Sequence, residues 1–278
     1  MAAHTFTLIV FLASICAGLV GALTGLGGGI IVTPTLTLLL GIDIRYAIGA
    51  SLVSVIATSS GAAASYVRDG LSNIRIGMFL EIATTLGAIS GALLASKTPT
   101  TALAIIFGVV LLHSAWQVVQ TKVDGQHLVK VDRFTARLRL GGVYQSVDGA
   151  IPYQVMRAKA GFAMMYVAGL LSGLLGIGSG ALKVIAMDRV MGIPFKVSTA
   201  TSSFMIGVTG VASAAIYLKR GYIHPMIALP VMLGVICGST LGARLLPRLP
   251  VKFLRRLFAI AVVIIAVQMI IHGLRGRI

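Results

Sequence analysis

Apolar residues along this chain fall in long runs, with polar and charged residues collected between them. Runs cover about 5–41, 46–67, 74–96 and 100–120, then about 161–192, 197–218, 224–246 and 252–272. Each approaches or exceeds the ~20 residues a helix needs to cross a bilayer. The short alternating segments of a membrane β-barrel are absent. The pattern predicts an all-α polytopic membrane protein, and composition agrees. Of 278 residues, 57% are hydrophobic and 11% charged, against about 25% charged in a soluble domain, and the mean hydropathy is +0.99. The first apolar run is preceded by His4 but by no lysine or arginine. It lacks the positive region of a cleaved signal peptide and is expected to be retained.

The chain also repeats itself. A shift of 151 residues lays Ala17–Gly29 (AGLVGALTGLGGG) over Ala168–Gly180 (AGLLSGLLGIGSG) and continues without a gap. Gly41 falls on Gly192, Ser51 on Ser202, Thr58 on Thr209, Tyr66 on Tyr217 and Pro99 on Pro250. Eight of the thirteen glycines between Ala17 and Pro99 land on glycine, several times the chance expectation. The repeat predicts two homologous transmembrane halves, 1–120 and 160–278. A polar link, 121–159, joins them; it carries seven positive residues and is expected to be cytoplasmic. Each half reads as one glycine-broken apolar segment followed by three ordinary spans.

Positive charge decides how the broken segments lie. If all eight runs cross, the side of the link holds 13 of the 23 lysines and arginines and the other side 9, with Lys183 inside a span. If each broken segment is re-entrant, every half makes three crossings and the second half is inverted. The side of the link then holds 16 against 6. Inverted repeats fit better, and with broken helices they are the architecture in which secondary transporters bind substrate near the midplane. The net charge of +16 lies between spans, where it faces anionic lipid, and no nucleic-acid partner is expected. Cys16 and Cys237 lie inside apolar runs and read as small core residues.

Glycine costs about 1 kcal/mol in a helix interior, so GLGGG (Gly25–Gly29) and GIGSG (Gly176–Gly180) mark breaks. Freed backbone groups are tolerated in a membrane only where they are buried in protein or line a wet cavity. The helix restarting after each break aims its N–H groups and positive dipole end at the break, which suits an anion. Gly27, Gly28, Gly29, Gly178, Ser179 and Gly180 are therefore candidate substrate-binding residues. Lys183, in the first turn after the second break, opposes the dipole and is expensive in a membrane. It becomes sensible beside a bound anion; snorkelling or pairing with Asp188 are the alternatives. The repeat-matched Ser51 and Ser202 could donate to an oxyanion or bond back to their own helices. Glu81 is a candidate proton-coupling group or the partner of a cation, and His113 a second such candidate or a packing residue. Gly87/Gly91 and Gly238/Gly242, with GxxxG spacing, read as helix-packing positions. No Walker pair, metal motif or catalytic triad occurs, so neither an enzyme nor a cofactor is expected.

At these residues the sequence resembles the sulfite exporter TauE/SafE family. The likeness rests on Gly18, Gly21, Gly25, Gly27, Gly28 and Gly29 followed by Pro34, and on a degenerate second copy from Gly169 to Gly180. It covers nearly the whole chain, with its two halves and polar link. The resemblance implies a secondary transporter in the cytoplasmic (inner) membrane that exports a small sulfur-containing anion, sulfite or an organosulfonate. A passive anion channel and an importer of the same solutes are the alternatives. The expected partners are that anion and the lipid bilayer, and the sequence leaves room for a homo-oligomer. The second copy departs at Ser179 for Gly28 and Ile185 for Pro34.

Overall fold

The computed structural model describes residues 3–24, 28–120, 133–138, 140–146, 149–245 and 251–275. The first half contains α1 (Ala3–Thr24), α2 (Gly29–Pro34) with a π-helical turn (Thr35–Leu39), α3 (Ile44–Arg68), α4 (Ile74–Ala95) and α5 (Thr100–Gln120). The link contributes α6 (Arg133–Leu138) and the strands β1 (Gly142–Ser146) and β2 (Gly149–Tyr153). The second half holds α7 (Ala158–Leu175), α8 (Gly180–Ile185) with a π-helical turn (Ala186–Val190), α9 (Phe195–Lys219), α10 (Pro225–Leu245) and α11 (Val251–Leu274). Among the described residues six helices, α1, α3, α4, α7, α9 and α10, are long and apolar enough to cross a membrane. The chain is an all-α polytopic membrane protein.

Local chemistry explains the matching boundaries. Asp43 accepts a hydrogen bond from the Arg45 N–H at the start of α3, and Asn73 accepts one from the Ile76 N–H at the start of α4. In the second half prolines take over these starts. Pro194 caps α9, and Pro225 opens α10 at the first helical position, where its missing N–H costs nothing. Both central helices stop at a left-handed glycine, Gly70 (φ +67°) and Gly221 (φ +73°). There the Leu71 and Tyr222 N–H groups reach back to the Tyr66 and Tyr217 carbonyls. Pro34 cannot be the cause of the π-turns, because the second half forms one behind Ile185.

The helix directions follow from who meets whom. A Cβ on Gly234, Gly238 or Gly242 would meet Phe11, Ile15 or Leu19 backbone, so α10 runs parallel to α1. Gly49 lies against Tyr222 and Gly61 against Ser239, so α3 runs with them. The second trio mirrors the first. Gly87 and Gly91 press on Tyr166 and Leu170 of α7, while Gly77 lies on Phe204 and Thr201 of α9. The trios run antiparallel to each other, since the Ser59 hydroxyl donates to the Ser203 carbonyl and Gly210 lies farther back, against Ile56 and Val55. Each half's third element thus packs in the other half's trio. The GxxxG glycines have the expected packing role: they bring backbones together where any side chain would intrude.

The broken segments reverse direction. The Tyr66 hydroxyl donates to the Ala22 carbonyl at the far end of α3, and Tyr217 repeats this on the Gly173 and Leu174 carbonyls. From there α2 runs back along α3, with Gly28 beside Thr58, Gly29 beside Ser51, and the start of α3 only four residues beyond the π-turn. At 1.5 Å per residue, the 22-residue α1 spans about 33 Å and the 11-residue Gly29–Leu39 arm about 16 Å. The hairpin has one full arm and one half arm.

Two sequence expectations change. The link folds as an antiparallel hairpin, Gly142 paired with Tyr153 and Ser146 with Gly149, where only polar chain was expected. Burial alternates at the end of β2, with Ile151 half-buried, Pro152 exposed and Tyr153 buried, as in a pleat with one face covered; Tyr153 and Val155 bury against Ile76, Leu80 and Met191. Asn73 Nδ2 donates to Tyr153 Oη at 2.8 Å. Burial pushes that phenol's pKa up, with the Asn73 hydrogen bond opposing. The second change is that Cys16 and Cys237 are exposed free thiols on the outer helix faces rather than core residues. An exposed position on a membrane helix faces apolar lipid, so hydrophobicity alone could not tell the inside from the outside.

Candidate functional site

The two breaks lie between the central helices α3 and α9, and one hydroxyl ties them together. Ser51 Oγ donates to the Gly176 carbonyl at 2.6 Å and shares its proton with the Gly29 carbonyl at 3.2 Å. It therefore holds a carbonyl from each break. Ser202 repeats half of this, reaching the Gly180 carbonyl at 3.4 Å. Gly27 lies outside the described residues. Gly28 donates its N–H to Thr58 Oγ1 at 3.3 Å, and that hydroxyl donates to the Ser54 carbonyl at 2.8 Å.

The second break has an unusual backbone. Gly176, Gly178 and Ser179 all have left-handed backbones, with φ of +67°, +67° and +46°. Serine in that region carries strain, of order 1–3 kcal/mol, of a kind concentrated at functional sites. The repeat-matched Gly28 is right-handed at φ −63°. Ser179 Oγ is buried with no hydrogen-bond partner among the described residues, as are Ser54 and Ser172 Oγ. A desolvated hydroxyl left unmatched costs about 1–3 kcal/mol.

Lys183 is fully buried, at 0% exposure, which removes the snorkelling alternative. Its Nζ donates to Thr209 Oγ1 at 2.6 Å, and Thr209 Oγ1 lies 2.6 Å from Glu81 Oε1, to which it can donate. Nζ stands 3.8 Å from Glu81 Oε2. Thr85 also donates to Oε1, at 3.0 Å, while Oε2 has no hydrogen-bond partner among the described residues. The carboxylate that meets Lys183 thus comes from α4 of the other half, and sequence proximity to Asp188 pointed elsewhere. Glu81 joins the site and His113 does not, being exposed on α5 beside Trp116. Thr209 is the bridging residue that sequence reading undervalued; its repeat match with Thr58 was the available signal. A separate cavity of about 340 Å³ opens between the α3–α4 turn and the hairpin, lined by Asn73, Arg75, Tyr144 and Tyr153 among others, with no residue of either break.

A buried lysine, a carboxylate and buried hydroxyls thus meet beside the second helix break. The model of the sulfite exporter TauE/SafE family matches residues 10–269. The chain belongs to that family. Among curated proteins it is 28% identical to the probable membrane transporter protein YunE of Bacillus subtilis, across 97% of this chain and 99% of that one. It is also 28% identical to the probable membrane transporter protein YdhB of the same organism, over 88% and 92%. A probable membrane transporter protein of Haemophilus influenzae is 25% identical over 95% and 98%. No solved structure matches. Within this family the chain is a multi-pass membrane transporter that works in a lipid bilayer.

Proposed function

We propose that this transporter exports a small sulfur-containing oxyanion, sulfite or an organosulfonate, across the cytoplasmic membrane by alternating access. Lys183 is the observation that carries the reading. A fully buried ammonium at a helix break, with one hydrogen bond among the described residues, is the donor a sulfonate or sulfite headgroup needs. Ser179 and the N–H groups of the second break would supply the neutral contacts. Ser51 and Ser202, bonded to break carbonyls, would hold the shape of the site. Alternating access is supported by the antiparallel trios, because an inverted repeat lets one half rock against the other around a fixed midplane site. Export, the choice of sulfur anion and the inner membrane come from the family's name and from the charge distribution.

A thermal-shift titration of the purified protein with sulfite, thiosulfate, taurine, isethionate and sulfoacetate tests the substrate class. One or more anions should raise the melting temperature, and Lys183→Met should abolish that rise. No shift with any of them would sink the proposal, and single-channel currents in planar bilayers would replace the carrier by a channel.

A further inference from the structure

We infer that each transported anion is accompanied by one proton carried on Glu81. The inference rests on the anion site proposed at Lys183. In this structure the Glu81 carboxylate faces Lys183, with Thr209 between them, and the two charges balance. An anion that takes Lys183 beside an ionised Glu81 would leave an excess negative charge in a buried site, which a membrane interior does not tolerate. A proton on Glu81 removes the excess.

The acceptor atom is Oε2. Oε1 is held by Thr209 and Thr85, whereas Oε2 has no hydrogen-bond partner among the described residues and faces Nζ. The proton comes from water on the open side, forms an O–H bond at Oε2, and turns that oxygen into a donor to the anion. On release the O–H bond breaks, the proton leaves with the anion on the opposite side, and Glu81 returns to Lys183. Nothing is oxidised or reduced. The empty site (lysine plus carboxylate) and the loaded site (lysine, anion, carboxylic acid) are both neutral for a monoanion.

Among the described residues the pair has no further ion-pair partner. On α4 itself the only other charged side chain is Arg75 near the start. The α8 segment presents Lys183, and its π-turn carries a half-buried Asp188 and an exposed Arg189. On α9 lie Thr209, lysines at the two ends, Lys196 and Lys219, and a single tyrosine, Tyr217, bonded to α7 carbonyls. On α7 the charged residue is Lys159 at the exposed start, and Tyr166 is an exposed phenol beside Ser90. The link presents Tyr153, bonded to Asn73, and an exposed Arg157. The charge pair is also single-copy: the repeat places Val32 opposite Lys183 and Met232 opposite Glu81. One proton per anion is the stoichiometry that follows.

The test uses proteoliposomes with an entrapped pH indicator and a potential clamped by potassium and valinomycin. Isethionate and methanesulfonate are the probes, since both are monoanions that do not titrate near neutrality. The intact protein should move one proton with each anion, and isethionate flux should not respond to the clamp. Glu81→Gln, nearly isosteric, should transport the anion with no proton, become voltage-driven, and bind about tenfold more tightly at high pH, because proton and anion binding are reciprocally linked. Anion flux without a proton in the intact protein, lost in the charge-free double variant Lys183→Met/Glu81→Gln, would overturn the coupling and leave the anion site standing. No flux of either probe, or undiminished flux in the double variant, would overturn the site and the coupling together.

Discussion

The first and second breaks share a frame and differ in chemistry. Both follow a long helix, turn back along a central helix, and close with a π-turn and a left-handed glycine, Gly41 (φ +64°) or Gly192 (φ +68°). At the first break the residues opposite the charge pair are Val32 and Met232, and among the described residues Thr58 bonds the Gly28 N–H and the Ser54 carbonyl. At the second break the matched Thr209 links an ammonium to a carboxylate drawn from the other half. Duplication supplied a symmetrical scaffold, and substitution at two positions made one side of it polar. The symmetry accounts for the shape, and it fails at the charge pair.

That contrast can be broken experimentally. The largest effect is expected where the halves are alike. Gly91→Leu would push a side chain into the Leu170 carbonyl and Gly238→Leu into the Ile15 carbonyl, and overpacking of this kind costs about 1–3 kcal/mol or more. Both variants should melt early to a similar degree in detergent; a benign Gly238→Leu would mean that the two crossings are not equivalent. Next, Lys183→Met alone strands Glu81 and should destabilise by about 3–5 kcal/mol, whereas Val32→Met at the matched position should cost under about 1.5 kcal/mol. Adding Glu81→Gln to Lys183→Met should restore most of the melting temperature and none of the anion binding. If the double variant is no more stable than the single one, the ion pair contributes little.

Smaller effects separate the threonines and serines. Thr209→Val removes the bridge between two charged groups and should cost about 1.5–3 kcal/mol; Thr58→Val should cost about 1 kcal/mol. Equal losses in chemical denaturation would deny Thr209 its special position. Ser51→Ala frees two carbonyls, one at each break, and should lower stability by about 1–2 kcal/mol. Ser202→Ala, giving up a 3.4 Å contact, should fall nearer 0.5 kcal/mol.

Much of the frame was legible in the sequence. The runs at 46–67 and 197–218 begin two residues inside α3 and α9 and stop one residue short of their ends, because hydropathy and terminal glycines act locally. The breaks were legible as well, since glycine clusters have few other uses inside apolar runs. The pairing of Glu81 with Lys183 was not. It joins residues far apart in the chain, and it exists because α4 packs into the trio of the other half. Glu81 and Lys183 are an acid and a base inside apolar segments, and charge compensation would have been the one clue available. The hairpin escaped for a different reason: five-residue strands give too short an alternation to stand out in a polar segment.

The exchange of third helices also has a consequence for biogenesis. The glycine face of α1 is completed by α10, whose synthesis ends more than two hundred residues later. At 5–20 residues per second, α1 therefore waits on the order of ten to forty seconds in the membrane with its packing face open. A nascent first half is thus an unfinished object by design, and the insertion machinery or surrounding lipid must shelter it until the last quarter of the chain arrives.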